Sequence, residues 1–188
     1  MQIKELVKEE PKLVGITIYL EGLSKKHVSE KYAQWLNDKE VCRENRHGKG
    51  NNTVEMTAKY VDSVDRSDAI AAFAIMTKEG NNHIGNICIE NISWDNNSGE
   101  ISILIGEKDW WGKGVATEAY RLIIDYGFNM LKLHRLYSGM SVRNKGMIKV
   151  AESSGMSQEG ISKDAFYKNG VYVDVVRYAI INQKDKER

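Results

Sequence analysis

Apolar residues along this 188-residue chain recur with two spacings, one suited to strands and one to helices. Residues 16–21 alternate apolar and polar and predict a first strand. From Ser24 onward, Val28, Tyr32, Trp35 and Leu36 fall on one side of a helical stretch. Residues 43–52 are polar and punctuated by glycine, which reads as a loop. Thr53 suits a helix N-cap and Glu55 its first turn, so a second helix runs to about Val64. Residues 65–68 turn into an aliphatic strand over Ala69–Thr77. The hairpin turn Glu79-Gly80-Asn81-Asn82 then leads to a strand over His83–Ile92. Residues 95–99 make another turn, into a strand over Glu100–Ile105. Past a glycine loop, Val115, Ala119, Leu122, Ile123, Tyr126 and Met130 define an amphipathic helix. A strand over Arg135–Val142, a short helix over Lys145–Ser154 stopped by Gly155, and an apolar strand over Val171–Ile181 in a closing hairpin complete the order. The pattern is α/β with a mixed, mostly antiparallel sheet flanked by helices. No repeat or Pro/Gly/Ser-rich linker divides residues 1–188, which read as one domain with flexible ends at 1–12 and 183–188.

The stretch from Gly99 to Ala119 carries the clearest chemistry. A β-branched strand ends at Gly106, Gly112 and Gly114 stand one residue apart, and a helix begins. Unpaired N–H groups and the positive end of the helix dipole make such a junction an anion site. Glycine lets a phosphate approach the backbone without a Cβ in the way. The loop is not a P-loop, because Lys113 lies between the glycines and no Ser or Thr follows Gly114. It fits a dinucleotide fingerprint poorly, since Thr117 occupies the third glycine position and the preceding strands read as antiparallel.

The string Trp111-Gly112-Lys113-Gly114-Val115-Ala116 resembles the pyrophosphate loop of the GNAT superfamily of N-acetyltransferases, Q/R-x-x-G-x-G/A, with Trp111 in place of the usual Gln or Arg. The longer string W-G-K-G-x-A-T-E-A is similar to the Rim-type branch, named for ribosomal-protein acetyltransferases. So are Tyr32–Asp38, His83–Ile87, Asp125–Phe128, Leu133–Tyr137, Asn144, the turn Ser154–Gly160 and Asn169–Asp174. The resemblance implies a GNAT fold whose central parallel strand pair, Ile101–Ile105 and Leu136–Val142, splays apart around acetyl-CoA. By the same resemblance, Ile103, Leu104 and Ile105 offer backbone to the pantetheine, Trp111 to Ala116 and Thr117 hold the phosphates, and Asn144 contacts the pantetheine arm. Each has a structural counterpart: a buried strand, a turn, and a helix N-cap. Lys113 is read either as a charge contact or as a solvated side chain, and Trp111 as an anchor of the loop to the core.

Acetyl transfer to an amine requires removal of an ammonium proton, a donor to the oxyanion and a proton for the leaving thiolate. Glu100, at the start of the central strand, is the candidate base, and Tyr137, Tyr167 and a water are the candidate proton donors. Glu90 and Asp174 are candidates for binding a cationic acceptor. The chain departs from the family after Asn144. It reads Asn144-Lys145-Gly146-Met147 where Rim-type enzymes have N-x-x-S, and Ala151 stands where other members carry a tyrosine acid. A CoA thiol is acidic enough to leave without a dedicated donor.

Composition narrows the partners. With 27 basic and 26 acidic residues there is no electrostatic footprint for nucleic acid. No apolar run reaches the roughly 20 residues of a membrane helix, and the charged N-terminal segment lacks a signal-peptide core. Cys42 and Cys88 read as free buried thiols, and His27, His47, His83 and His134 show no metal spacing. His134 reads as packing or surface. The expectation is a cytoplasmic, metal-free N-acetyltransferase acting on a small-molecule amine or amino sugar, as a monomer or homodimer. Protein N-terminal acetylation and a non-catalytic acyl-CoA-binding module are the alternatives.

Overall fold

The computed structural model describes residues 12–45 and 50–183. The ends expected to be flexible fall mostly outside the described residues, as does His47. One eight-stranded sheet runs in the order β1-β2-β3-β4-β5-β6-β8-β7. Its strands are β1 (Leu13–Val14), β2 (Ile18–Gly22), β3 (Ala71–Thr77), β4 (His83–Ser93), β5 (Ser98–Ile105), β6 (Arg135–Ser141), β7 (Ser157–Lys168) and β8 (Val171–Ile181). Four α-helices flank it: α1 (Glu30–Asn37), α2 (Val54–Asp65), α3 (Val115–Asn129) and α4 (Lys145–Ser153). Every adjacent strand pair is antiparallel except β5–β6.

Side chains alternate between the two faces of the strands and so build two apolar layers. Ile87, Ile89, Ile101, Leu136, Val176 and Tyr178 pack with α3 and α4 residues such as Ala119, Ile123 and Ala151. Ala72, Ala74, Cys88 and Leu104 turn the other way, toward Tyr32 and Trp35 of α1 and Val61 and Val64 of α2. Glu100 and Ser102 of β5, Arg135 and Tyr137 of β6 and Arg177 of β8 also lie on this second face.

Three sequence expectations change. The helix expected from Ser24 is a single 3-10 turn, Lys25–His27, followed by an extended Val28 and a fresh start at Ser29, whose hydroxyl caps α1 by accepting from Tyr32 N–H. The cause is His27. Its buried ring accepts from Ser24 N–H at 3.0 Å and donates Nε2–H to Glu21 at 2.9 Å, which draws the turn inward before a helix can form. The short strand β1 was not expected, because two residues are too few for a periodic signal. Residues Ser157–Gly160, expected as part of a turn, belong to β7. That strand is polar because it lies at the sheet edge, where lysines and a bulge at Asp164 (φ 49°) discourage pairing with another chain. Asn169 and Gly170, both at positive φ, close its two-residue hairpin with β8.

Candidate active site

Strands β5 and β6 pair over only three positions, Ser98 with Arg135, Gly99 with Leu136 and Glu100 with Tyr137. Beyond these they part. Ser138 stands at the divergence and donates its hydroxyl to the carbonyl of Ile101 at 2.9 Å, while the buried Tyr120 hydroxyl lies 3.2 Å from Ser138 Oγ. On the other edge of β5, Gly106 N–H donates to Ile84 O of the β4 side. Antiparallel alternation then directs the main-chain groups of Leu104 to β4 and those of Ile103 and Ile105 into the opening beside β6. Of the three residues expected to offer backbone there, Ile103 and Ile105 face the opening, where the Ile105 carbonyl accepts from the Trp111 indole, and Leu104 faces β4.

The glycine loop lies at the open end. Gly112 and Gly114 have φ of 72° and 81°, and a Cβ built on either meets no atom within 4 Å. Their positive φ disfavours other residues, and the space beside them is clear for a ligand. Gly114 is the N-cap of α3 and supplies no side-chain acceptor, so the first-turn N–H groups of Val115, Ala116 and Thr117 are not capped by it. Val115 is buried, while Ala116 and Thr117 are half-buried. Lys113 places its ammonium 5.4 Å from the Trp110 ring centroid. The core anchor expected at Trp111 is instead Trp110, which packs against the α3 layer. Trp111 is 38% exposed and is held by its indole N–H to Ile105 O at 3.0 Å.

Two supports of this loop escaped the sequence reading. Trp35 of α1 lies against Gly106, where an added Cβ would come within 2.0 Å of its ring, and its indole N–H donates to Glu107 at 2.7 Å. Glu118, the acid of the W-G-K-G-x-A-T-E-A string, accepts from the N–H groups of Ile16, Thr17 and Ile18 and so ties α3 to the start of β2. Pattern analysis has no signal for either, since both are contacts between distant segments. Asn144 caps α4, its side-chain oxygen accepting from Met147 N–H at 3.2 Å. Ala151 is fully buried in the core.

On the face away from α3, acidic and phenolic groups gather beside the opening. Glu90 and Glu100 are cross-strand neighbours, and Tyr137 partners Glu100 on the other side. Ser102 donates to Glu90, and Asn91 donates to Glu100 at 3.1 Å. Asn91 reaches it from a β-bulge with φ 53°, a device that often re-aims side chains near active sites. Burial, and then the Glu100 charge, push the Tyr137 phenol above its ordinary range. Arg135, paired with Glu159, sits 5.7 Å from the Tyr137 ring centroid. Asp174 is engaged elsewhere: Lys163 at 2.7 Å and Asp164 N–H at 3.0 Å hold its carboxyl below the usual range. Among the described residues, no group of three or more His, Cys, Asp or Glu could hold a metal ion. Nor is any helix among them long and apolar enough to cross a membrane.

Known proteins share both sequence and architecture with this chain. It is 45% identical over 76 residues to the probable N-acetyltransferase YjcK of Bacillus subtilis, a match covering 40% of this chain and 42% of that protein. It is 33% identical over 103 residues to a spermidine N(1)-acetyltransferase of Vibrio cholerae, covering 55% of this chain and 59% of that protein. Both matches span less than two thirds of the relative's length. In fold it superposes on RimL, a ribosomal L7/L12 alpha-N-protein acetyltransferase solved with coenzyme A. The TM-score is 0.82 at 20% identity, over 91% of this chain and 98% of that one. The acetyltransferase (GNAT) domain profile matches residues 17–157, three quarters of the chain, and the forked sheet with its glycine loop lies within that span: the chain belongs to the GNAT acetyltransferase family.

Proposed function

We propose that the chain is an acetyl-CoA-dependent N-acetyltransferase whose acceptor is the primary amine of a small molecule. The observation that carries this is the fork: the backbone edges of Ile103 and Ile105 open toward β6 and lead directly to the Gly112–Gly114 turn. The fit is specific in two respects. A pantetheine arm carries amides that can pair with a free strand edge, and a pyrophosphate suits a helix N-terminus approached through glycines. The spermidine-acetylating relative supports a small amine as acceptor.

Acetyl-CoA supplies an activated acyl carbon. An acceptor ammonium on the Glu100 face first gives one proton to the Glu100 carboxylate, directly or through a water. The freed nitrogen lone pair forms the new C–N bond as the C–S bond breaks, and the sulfur leaves with that bond's electron pair. The second nitrogen proton passes to the departing sulfur, directly or relayed by Tyr137 or solvent, so the amide keeps one hydrogen, CoA leaves as the thiol, and the proton on Glu100 returns to solvent. Main-chain N–H of the Ile103–Ile105 edge is the donor to the oxyanion. The test is free-thiol release from acetyl-CoA with three acceptor pools: amino sugars and their nucleotides, polyamines and small amines, and peptides with free N-termini. Release with either small-molecule pool is the expected result. Release with peptides alone, or with none while acetyl-CoA binds, overturns it.

A further inference from the structure

One cation on the acceptor side of the sheet takes no part in the ion pairs of the described residues. Arg177 of β8 lies directly opposite Gly139 of β6. A Cβ on Gly139 would come within 2.6 Å of Arg177 Nη1 and 3.3 Å of Cζ, so the guanidinium lies across the bare backbone of β6. Its Nε donates to Ser162 Oγ at 3.2 Å, which fixes the plane of the fork of donors. Among the described residues it forms no ion pair, in contrast to Arg135, which is held by Glu159 on the same strand system. Strand alternation places Arg177 on the same face as Tyr137 and Glu100, and Gly139 lies two residues beyond Tyr137, where β5 and β6 have already parted.

From this arrangement, and resting on the transferase reading above, we propose that Arg177 binds an oxyanion carried by the acceptor, so that the substrate is an amine that also bears a carboxylate or a phosphate. A half-buried guanidinium with its Nε already oriented presents its remaining N–H groups as a planar pair suited to either anion. Glu100 and Glu90 take the ammonium at one end of the groove and Arg177 takes the anion at the other. Gly139 is two residues along β6 from Tyr137, a rise of about 7 Å, and Glu100 stands one strand further away, so the acidic and cationic ends of the site are held apart along the sheet. That separation suits an amine set several bonds from its anion, as in the side-chain amine of a basic amino acid or the amine of a hexosamine phosphate, rather than an α-amine next to its own carboxylate.

The test compares two pairs of acceptors at saturating acetyl-CoA, cadaverine with lysine and glucosamine with glucosamine 6-phosphate, on the native chain and on Arg177→Gln and Arg177→Lys. The native chain is expected to favour the anionic member of one pair by about tenfold in kcat/KM, the scale of one charge-assisted hydrogen-bonded contact. Arg177→Gln is expected to remove that preference through KM for the anionic acceptor, and Arg177→Lys to retain part of it. A preference within the first pair identifies a carboxylate, within the second a phosphate. Turnover of cadaverine or glucosamine with no preference in either pair keeps the transferase reading and removes this one. A preference that survives Arg177→Gln, or an equal loss of kcat for all four acceptors, also overturns it. Silence with all four overturns this reading, while the transferase reading stands or falls with the wider acceptor pools above.

Discussion

The Ser138 hydroxyl donates to the Ile101 carbonyl at 2.9 Å at the point where the β5–β6 ladder stops. A side chain thereby replaces the strand bond that parallel pairing would otherwise provide. Tyr120, from α3, lies behind it at 3.2 Å, its phenol pushed up to about 12 by burial. Ser138→Ala leaves a buried carbonyl and a buried phenol short of a partner. The expected loss is about 1–3 kcal/mol of unfolding free energy, read by urea denaturation with an unchanged slope. Tyr120→Phe removes one bond and leaves Ser138 on Ile101, so its loss is expected to be the smaller of the two.

His83 makes stability depend on pH. Its ring contacts Trp35 at 5.0 Å, His27 at 5.3 Å and Tyr32 at 5.8 Å, and Asn86 lies 2.9 Å from Nε2. Burial lowers its pKa from 6.5 to about 4, and the Lys31 ammonium also opposes protonation, while hydrogen bonding at Asn86 and Gly85 acts the other way. The unfolded chain therefore binds the proton first as pH falls. Stability contributed by neutral His83 is present above about pH 6.5, declines toward pH 4 and then levels, a change of up to about 3 kcal/mol. Thermal melts across this window are expected to show that slope, and His83→Leu to flatten it.

Glu100→Gln tests the base. The amide can still accept from Asn91, so the groove is expected to keep its shape while losing the group that takes the ammonium proton. Turnover is expected to fall by about 10²–10⁴-fold, with KM for acetyl-CoA little changed and the acidic limb of the pH–rate profile displaced. A profile identical to that of the native chain removes Glu100 from the role.

Much of the architecture was legible because its signals are local. The periods of β3 to β5 and of α3, the turn residues Gly80 and Asn81, and the paired glycines at 112 and 114 all act within a few residues of themselves. The GNAT resemblance placed the fork between the correct two strands. What escaped depends on contacts across the fold. Nothing around Ser24 shows that the His27 ring will take its N–H and end a helix. Ser138 reads as an ordinary strand serine until β5 and β6 are seen to part beside it. Trp110 and Trp111 are identical and adjacent, and only the loop path decides which one packs and which one bonds to Ile105. The edge strand β7 carries too little apolar periodicity to be seen.

The most direct test is acetyl-CoA binding measured by isothermal titration calorimetry on the native chain and on Gly114→Val. A Cβ at Gly114 meets no protein atom, so the substitution acts through the φ of 81° and by filling the space beside the α3 N-terminus. The native chain is expected to bind acetyl-CoA stoichiometrically, and Gly114→Val to weaken binding by at least about tenfold while circular dichroism shows the fold retained. Equal affinity in the two proteins, or no binding by the native chain, would contradict the assignment of the fork and its glycine loop as the acetyl-CoA site.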